Sequence, residues 1–424
     1  MSTRPPAPPE PSGRDGEGSP STSRPWAPLF NPHFRLLWIS GLNSVTAEQG
    51  RRTVDLWLIY QLSGGSAVQL GLIGIFQALP LFTTGLLSGT IADLVDRKKL
   101  LLIAQAIRVA MLAGLGLVVL SGNAQVWHVY LATLLNGIAQ VVEQPARTSL
   151  IPNMVPRTQL MHALGLNSSM RQLGMLTGPT IAAWLIGPIG VAGAYFTQAG
   201  LYVLSVGIML GLPSWGASGA GGLRSLRVST VLEGLKFMLS DRFLASVVVL
   251  DAMVVLFTSW RVLAPIVAAE VLGGDERTLG LLMAAPAAGR LVGTGMLMVT
   301  SVRRQGLLVL LVSIGYAASI AALGLVNHTG QAIVVMVLIG ATDGAGSIVR
   351  NTVVQLAVPD TIRGRVTSVN QIFAQGSPAL GQTVTGAMAA ALGAPGALLV
   401  GGAIAIAVTM AVALRVREVV SFRV

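Results

Sequence analysis

The sequence predicts an all-α membrane protein whose twelve transmembrane helices form two pseudo-symmetric six-helix bundles. Three observations predict this fold: few charged residues, a series of apolar runs long enough to span a bilayer, and an internal repeat. Asp, Glu, Lys and Arg make up only 11% of the 424 residues, and the hydrophobic share is 53%. A soluble domain averages roughly 25% charged residues. So few charges cannot cover a globular surface of this size, which excludes an ordinary soluble enzyme and a disordered protein.

The domain organisation follows from composition along the chain. Residues 1–33 are rich in Pro, Ser, Gly and charge, which predicts a disordered cytoplasmic tail. We then expect an N-terminal bundle over 34–212, a cytoplasmic linker over 213–242, a C-terminal bundle over 243–414 and a cytoplasmic C-terminal tail over 415–424. Each predicted helix has about the 20 residues that cross roughly 30 Å of hydrocarbon. The predicted helices are 34–62, 68–92, 100–121, 125–148, 160–186, 190–212, 243–272, 279–300, 306–326, 331–356, 366–392 and 396–414.

The basic residues predict the orientation in the membrane. Of the 28 Lys and Arg residues, 21 lie in the tails or at the loops on the same side as the tails, while the opposite loops carry only Arg277. Cytoplasmic loops collect basic residues, so we expect a multi-pass protein of the cell membrane with both termini in the cytoplasm. The net charge of +11 is therefore a topology signal, and no nucleic-acid partner is expected.

Features of the first half of the chain recur in the second half. One set recurs at an offset of 203 residues and a shorter set at an offset of 209. Repeated halves are typical of secondary transporters, whose substrate site lies near the midplane between the repeats. The alternative is a duplicated membrane scaffold that transports nothing. The first set is Gly137, Arg147, Val155-Pro156, Asn167 and Gly178 against Gly340, Arg350, Val358-Pro359, Asn370 and Gly381, and the second is Arg52 and Leu70-Gly71 against Arg261 and Leu279-Gly280.

The loop between the second and third predicted helices resembles a signature of the major facilitator superfamily: a Gly, an Asp four residues later, then a basic cluster. Asp96 stands where the family usually has Gly. The resemblance extends over about residues 34 to 414 and implies the major facilitator fold. It gives Asp93 and Arg97 a role in locking one of the alternating states, whereas for Lys98 and Lys99 we favour a role as topology anchors. The loop reads Gly89-Thr90-Ile91-Ala92-Asp93-Leu94-Val95-Asp96-Arg97-Lys98-Lys99.

Small residues of the fifth predicted helix have a spacing that resembles the superfamily's antiporter motif, with alanines in place of the last two glycines. In the family this motif accompanies export, and the alternative is ordinary close packing of small residues. An Arg that exporters of the family carry in the fourth helix is missing from residues 134–137, so its proton-coupling role has no residue here. Residues 144–152 resemble the branch that includes enterobactin-type siderophore exporters and drug efflux pumps. The motif residues are Gly165, Gly174, Gly178-Pro179 and Ala182-Ala183.

Charged residues inside transmembrane helices are costly and mark functional sites by default. The first helix carries Glu48, Arg51, Arg52 and Asp55, whose spacing of i, i+3, i+4 and i+7 places them on one face. We expect Glu48 to pair with Arg52 and Arg51 with Asp55, each at i, i+4. Glu48 or Asp55 would then titrate with protons while an arginine switches partners. The alternative is a static ladder of ion pairs that only positions the helix.

Other charges inside the helices also need partners. Arg108 needs a carboxylate from another helix, either Glu143 or an acid of the first helix. Glu143 can also pair with Arg147, four residues later. Asp343 and Arg350 are seven residues apart and share a face, which predicts a structural pair.

We expect a proton-coupled antiporter that exports small amphipathic organic molecules across the cytoplasmic membrane, as a multidrug efflux pump does. Met283, Met296 and Met298 would adapt a mostly apolar cavity to varied ligands. ATP is not the expected energy source, because the chain has no phosphate-binding loop that ends in Gly-Lys-Ser or Gly-Lys-Thr.

Two alternatives stay open. The substrate can be a siderophore whose anionic groups meet arginines of the cavity, or the same fold can serve an importer or a non-transporting sensor. We expect a monomer without enzyme activity, catalytic residues, cofactor or metal site. Its expected partners are a small-molecule substrate, protons and the lipid bilayer. The residues predicted for proton coupling and the substrate cavity are Glu48, Arg51, Arg52, Asp55, Arg108, Glu143 and Arg261.

Overall fold

The computed structural model describes residues 24–83, 96–213, 228–299, 305–359 and 362–416. All regular secondary structure in these residues is helical, so the predicted all-α membrane fold is confirmed. Seven helical segments of this part of the chain are long and apolar enough to cross a membrane. The helices are α1 (Pro32–Ser63), α2 (Ala67–Thr83), α3 (Arg97–Leu120), α4 (Val126–Met154), α5 (Leu160–Leu210), α6 (Val228–Ser240), α7 (Arg242–Phe257), α8 (Glu276–Val299), α9 (Gln305–Leu323), α10 (Thr329–Ala357) and α11 (Arg363–Arg415).

Helices α5 and α11 are each a pair of crossings joined at a glycine. Gly190 in α5 has a φ of 72° and Gly393 in α11 has a φ of 73°, a conformation that other residues avoid. The chain reverses at Gly190, since the carbonyl of Leu166 and the hydroxyl of Ser205 both hydrogen-bond to the first three turns of α1. With α5 and α11 counted as two crossings each, and with the 13-residue α6 left out because it is too short to cross, the described helices are consistent with the predicted twelve.

The connections define two ends of the molecule, which we name the termini end and the distal end. The termini end holds the start of α1, where Asn31 Nδ2 donates to the carbonyl of Met154 at the end of α4 (2.6 Å). The distal end holds the α1–α2 and α3–α4 connections, where the Tyr130 hydroxyl donates to the carbonyl of Gln69 (2.6 Å). In the predicted orientation, the termini end faces the cytoplasm.

The seventh predicted crossing, 243–272, is not one continuous helix, which corrects the prediction. The hydroxyls of Thr258 and Ser259 donate to the carbonyls four residues earlier at 2.6 and 2.8 Å, where they compete with the N–H groups of a continuing helix. Pro265 removes a further N–H donor. The backbone is therefore irregular inside the membrane, beside Arg261. After α7 come a 3-10 turn (Trp260–Leu263), one α-helical turn (Ala264–Ile266) and a π-helical turn (Val267–Val271).

The internal repeat appears in the structure as equivalent helix contacts. A Cβ atom built on Gly178 of α5 would lie 2.5 Å from the carbonyl oxygen of Thr46 in α1. A Cβ atom built on Gly381 of α11 would lie 2.8 Å from the carbonyl oxygen of Val255 in α7. The two glycines are 203 residues apart, and each lets its helix approach the first helix of its own bundle closely. Both bundles are thus built on one plan, as the predicted pseudo-symmetry requires.

Two helix pairs join the bundles: α2 packs on α11, and α8 packs on α5. A Cβ atom built on Gly71 of α2 would lie 2.9 Å from the Cα of Gly386 in α11, and one built on Gly280 of α8 would meet the Cβ of Ala183 in α5. Gly71 and Gly280 are related by the offset of 209, and Ala183 and Gly386 by the offset of 203. The same contact is therefore made twice. We call these two contacts the glycine seam.

The apolar core shows which end of the molecule is closed. Toward the distal end, one cluster of buried side chains contains residues of both bundles, among them Ile59 and Leu279. Toward the termini end, the described residues of each bundle form a separate cluster, with Ile151 in the first and Val247 in the second. Because packed side chains give up many favourable contacts when they separate, the bundles are joined at the distal end and separable at the termini end.

Candidate transport site

Four charges at the middle of α1 form a buried network of ion pairs. Glu48 accepts hydrogen bonds from Arg51 (Nη2 to Oε1 3.0 Å, Nε to Oε2 3.1 Å) and from Arg52 (Nε to Oε1 2.8 Å). Arg51 also donates to Asp55 through Nη1. The pairs Glu48–Arg52 and Arg51–Asp55 that the spacing predicts are both present, and a further Glu48–Arg51 pair joins them. Glu48, Arg51 and Asp55 are 7%, 2% and 0% exposed, so this face of α1 points into the protein.

Uncharged side chains from other helices complete this network. Asn136 of α4 donates to Glu48 (Nδ2 to Oε1 3.2 Å), and Tyr195 of α5 donates to Asp55 (hydroxyl to Oδ1 2.8 Å). Neither residue was predicted from the sequence. Each is a single polar side chain in an apolar run, a signal too common in helical bundles to identify a site.

A second buried ion-pair cluster lies nearer the termini end. Glu143 of α4 binds Arg108 of α3 and accepts a hydrogen bond from Arg147 (Nη2 to Oε1 2.9 Å). Of the two partners predicted for Arg108, the structure therefore shows Glu143. The Arg108 guanidinium also lies over the ring of Tyr202, with 5.5 Å between Cζ and the ring centroid. Arg147 is only 6% exposed inside α4, so it belongs to this cluster and not to the loop residues that indicate orientation.

The charges of the second bundle pair differently from the prediction. Asp343 of α10 binds Arg290 of α8, and Arg350 of α10 binds Asp251 of α7 (Nε to Oδ1 3.0 Å). The predicted Asp343–Arg350 pair is wrong, because seven residues along a helix separate two positions by about 10 Å. The neighbouring helices bring opposite charges into direct contact instead. Both ion pairs therefore tie helices of the C-terminal bundle to one another.

A small cavity lies between the two bundles. Its volume is about 20 Å³, room for one water molecule, which needs about 10–15 Å³ by this measure. This cavity is too small for an organic substrate, so the bundles must move apart around it to admit one there. Side chains from both bundles line the cavity: Arg52, Asp55, Leu56, Ile73, Gln77, Arg261, Met283 and Gln382.

The cavity is lined by apolar side chains together with charged and amide groups. Five of the eight lining residues are charged or carry an amide, and Gln382 Nε2 donates across the bundle boundary to Gln77 Oε1 (3.0 Å). Of the three methionines predicted to adapt the cavity, Met283 lines it. Met296 is 66% exposed on the outside of α8, and the side chain of Met298 lies outside the described part of the structure. Most of the lining surface is nevertheless apolar, as expected, and its polar groups belong to these five side chains.

The residues of the antiporter-like motif have different surroundings. Cβ atoms built on Gly174 and Gly178 would lie within 3 Å of α1, and the carbonyl of Pro179 lies against Gly280 of α8. A Cβ atom built on Gly165 would meet nothing within 4 Å. Three of the four residues thus permit close helix contacts, while Gly165 does not. Whether the motif favours antiport stays a prediction.

The loop signature is described only in part, because Gly89 and Asp93 lie outside the described residues. Asp96, the departure from the family pattern, has a local explanation: its Oδ1 accepts a hydrogen bond from the N–H of Lys98 (2.8 Å). A carboxylate in this position caps the first turn of a helix. Asp96 therefore defines the start of α3.

The basic residues of the signature bind backbone carbonyls of the first bundle. Arg97 Nη1 donates to the carbonyl of Ser149 in α4 (3.3 Å), and Lys98 Nζ donates to the carbonyl of Leu210 at the end of α5 (3.0 Å). The last carbonyls of a helix lack intrahelical partners and attract cations. Lys98 therefore contacts the end of α5 in addition to any part in orientation.

Comparisons with known proteins place the chain in a family of membrane transporters. The sequence pattern of the transmembrane secretion effector family matches residues 23–422. The chain is 26% identical over 338 residues to the enterobactin exporter EntS of Escherichia coli O1:K1, an alignment that covers 79% of this chain and 80% of the relative. It is also 26% identical over 339 residues to the exporter of the same name from Shigella boydii serotype 18, with the same coverage.

Solved structures share the fold at low sequence identity. A POT family transporter in complex with 5-aminolevulinic acid has a TM-score of 0.75 at 12% identity and covers 91% of this chain and 96% of its own. The nucleoside transporter NupG has a TM-score of 0.69 at 14% identity, with 92% and 99% covered. A bacterial homologue of the human lysosomal transporter Spinster has a TM-score of 0.64 at 16% identity, with 92% and 96% covered. At such identities these likenesses show the fold alone, which is the major facilitator fold.

Proposed function

The chain belongs to the transmembrane secretion effector family of the major facilitator superfamily, whose members are multi-pass membrane transporters of small molecules and not enzymes, and we propose that it exports its substrate in exchange for protons. The proposal assigns the proton to Asp55, the substrate to the cavity between the bundles, and the conformational change to separation of the glycine seam.

The position of Asp55 carries the proposal. This carboxylate is fully buried in a membrane-spanning helix, and it lines the cavity between the bundles. A charge inside a transmembrane segment is expensive, and a carboxylate can lose its charge there by taking up a proton. Asp55 therefore stands where a proton and a substrate can both arrive.

Asp55 and Glu48 differ in whether an arginine loses its counter-ion when the carboxylate takes up a proton. When Asp55 takes up a proton, Arg51 keeps a counter-ion because it also binds Glu48. When Glu48 takes up a proton, Arg52 loses the one carboxylate that it contacts among the described residues. A charged side chain in a transmembrane helix is costly when it has no partner. We therefore assign the coupling proton to Asp55 and a structural role to Glu48.

The packing of the bundles supports alternating access. The distal end is closed by a core that both bundles share, while the termini end has two separate cores. Transporters built from such repeats rock one bundle against the other around a site at the midplane. The described state is closed at the distal end, and opening of the glycine seam would expose the cavity on that side.

The relatives and the packing of α5 support export. Both relatives named above are enterobactin exporters, and Gly174 and Gly178 make the close contacts that the antiporter motif of the family provides. Amphipathic compounds of the multidrug type are one candidate substrate class, and siderophores are the second. The two arginines and two glutamines of the lining favour the second class, because they can bind the anionic and hydroxyl groups of a siderophore.

Everted membrane vesicles test the coupling. In vesicles acidified inside by respiration and followed with a pH-sensitive dye, addition of an exported drug or siderophore should release protons from the lumen. Asp55→Asn keeps the shape of the side chain but carries no titrating proton. We expect it to abolish substrate-evoked proton release while exchange of labelled for unlabelled substrate continues. Asp275→Asn, in an exposed loop before α8, is the matched control and should behave as the wild type.

Three outcomes would contradict the proposal. Normal proton release by Asp55→Asn would show that Asp55 does not carry the coupling proton. If Glu48→Gln and the double variant were also fully coupled, the charges of α1 would have no part in coupling. Proton-driven uptake of substrate into whole cells would reverse the direction of transport.

A further inference from the structure

We propose that Arg52 and Arg261 form a pair that binds a negatively charged group of the substrate, so that the exported molecules are organic anions. The inference rests on the proposed function in one respect, namely that the cavity between the bundles is the substrate site. It goes further by naming the charge of the substrate and the two side chains that select for it.

Arg261 has an unmatched positive charge. It donates no hydrogen bond and forms no ion pair within the described residues, and its guanidinium lies over the ring of Trp260 with 5.3 Å between Cζ and the ring centroid. The acid of its own bundle that acts on it, Asp343, is already bound to Arg290. A guanidinium within a membrane protein normally has a carboxylate or another anion beside it, and in the described part of the chain none pairs with Arg261.

Arg52 faces Arg261 across the same cavity. The charges of α1 balance, because Glu48 and Asp55 match Arg51 and Arg52. Arg261 therefore adds a net positive charge to the cavity wall, and its charge and that of Arg52 repel one another. An anion placed between them would remove the repulsion and supply the missing counter-ion.

The other two arginines predicted for the cavity, Arg51 and Arg108, are not available to bind an anion. Arg51 is 2% exposed and is held by Glu48 and Asp55, and Arg108 is 2% exposed and is held by Glu143. Neither lines the cavity. Arg52 instead has a side chain that is 29% exposed. Its Nε donates to Glu48 and its Nη2 donates to Gln140 at 3.5 Å, which leaves Nη1 to meet a ligand.

The local backbone and the repeat support the same assignment. Arg261 lies in the 3-10 turn that interrupts the seventh crossing, and interrupted helices at the midplane are where transporters of this kind place binding groups. Arg52 and Arg261 are also equivalent positions of the two halves, 209 residues apart. The two bundles thus contribute one arginine each, so an anion held by both would bridge the bundles.

The chemistry of the pair narrows the substrate class. A guanidinium offers a planar fork of N–H donors that suits carboxylates and similar oxygen anions. Carboxylates, ionised phenols or catechols, and hydroxamates all provide such oxygens. The amides of Gln77 and Gln382, which also line the cavity, can accept or donate to neighbouring hydroxyl groups.

Two dyes with the same ring system and opposite charge test the inference. Fluorescein is an anion and rhodamine 123 is a cation, and binding of each to the full chain in lipid nanodiscs is followed by fluorescence anisotropy. We expect the wild type to prefer fluorescein and Arg261→Gln to weaken its binding roughly tenfold or more, because a charge-assisted contact is lost. Arg261→Lys should retain part of the affinity, and Arg52→Gln should weaken it as well. The matched control is Arg277→Gln, an arginine outside the cavity.

Arg261→Gln removes no ion pair of the described structure, so the variant should fold normally, which its thermal unfolding will verify. A wild-type protein that does not bind fluorescein, or an affinity that is unchanged in both Arg261→Gln and Arg52→Gln, would overturn the inference. Fluorescein binding without proton-linked flux would leave the arginine pair in place and refute the proton-coupled function. Proton-linked export of rhodamine 123 by a protein that does not bind fluorescein would refute the arginine pair and leave the proton-coupled function in place.

Discussion

Replacement of Gly71 or Gly280 by alanine should open the distal end of the transporter. A Cβ atom on Gly71 would lie 2.9 Å from the Cα of Gly386 and 3.1 Å from the carbonyl oxygen of Gln382. These are backbone atoms and cannot rotate away as a flexible side chain can, so α2 and α11 must separate. Gly280→Ala would act in the same way between α8 and α5, through its contact with Ala183.

The size of the effect follows from the cost of overpacking. Extra atoms forced into a close contact cost about 1–3 kcal/mol, and this cost falls on the closed state because the two helices part in the open one. A difference of 1–3 kcal/mol changes a population ratio by about 5–150-fold. If the open state is the minor one in the wild type, any reaction that needs it should accelerate by a similar factor.

The absence of cysteine permits a labelling assay with one thiol. Ile73→Cys places that thiol in the cavity wall, at a side chain that is 2% exposed. A membrane-impermeant maleimide added on the distal side then reacts only when that side opens. Gly71→Ala should raise the labelling rate roughly tenfold, whereas Gly114→Ala, whose Cβ would meet nothing within 4 Å, should not. Equal rates in the wild-type, Gly71→Ala and Gly114→Ala backgrounds would refute the glycine seam as the distal gate.

Three further predictions concern single contacts and share one assay, thermal unfolding of the purified protein in detergent. Asp96→Ala removes the cap of α3 and should lower the free energy of unfolding by about 1 kcal/mol, while Asp96→Asn should keep most of the cap. Exchange of the charges of Asp251 and Arg350 in a double variant should restore much of the stability lost in each single variant, and no recovery would argue against their direct pairing. Tyr195→Phe leaves an oxygen of Asp55 without its donor and should cost about 1–3 kcal/mol; an unchanged stability would show that Tyr195 does not hold the carboxylate.

Local spacing was sufficient to predict the ion pairs of α1. Residues at i, i+4 on a helix are always neighbours, so Glu48–Arg52 and Arg51–Asp55 follow once the segment is helical. The repeat was also informative, because positions at equal offsets in a duplicated fold have equivalent contacts. Gly71 and Gly280 were aligned by sequence alone, and the structure shows each of them at the boundary between the bundles.

Contacts between helices were harder to predict, because they depend on distances that the sequence does not contain. Asp343 had Arg350 on its own helix face, yet it binds Arg290 of α8, since helix packing brings that guanidinium closer. The break after α7 depends on two hydroxyls bonding to backbone carbonyls, which hydropathy does not register. The same break sets the position of Arg261. The cavity that Arg261 lines lies between the bundles, so it could be identified only from the structure of both.

The charge of the substrate decides how the proton gradient can be used. Export of a monoanion in exchange for one proton moves two positive charges inward, which the membrane potential favours by about 4.6 kcal/mol for each 100 mV. A proton on Asp55 also adds positive charge near Arg52, so electrostatics by themselves would favour the proton and the anion binding together. Movement of both in one direction is therefore the competing mechanism, and for a monoanion it carries no net charge.

An imposed potential separates the two mechanisms. In proteoliposomes without a pH gradient, an inside-negative potassium diffusion potential should drive salicylate out if proton and anion move in opposite directions, because the cycle then carries charge. Arg261→Gln should reduce this flux, and Arg277→Gln should not. Salicylate flux that does not respond to the potential would reject antiport. It would also reject export. The proton and the anion would then move in the same direction, and a pH gradient that is acidic outside would drive both of them inward.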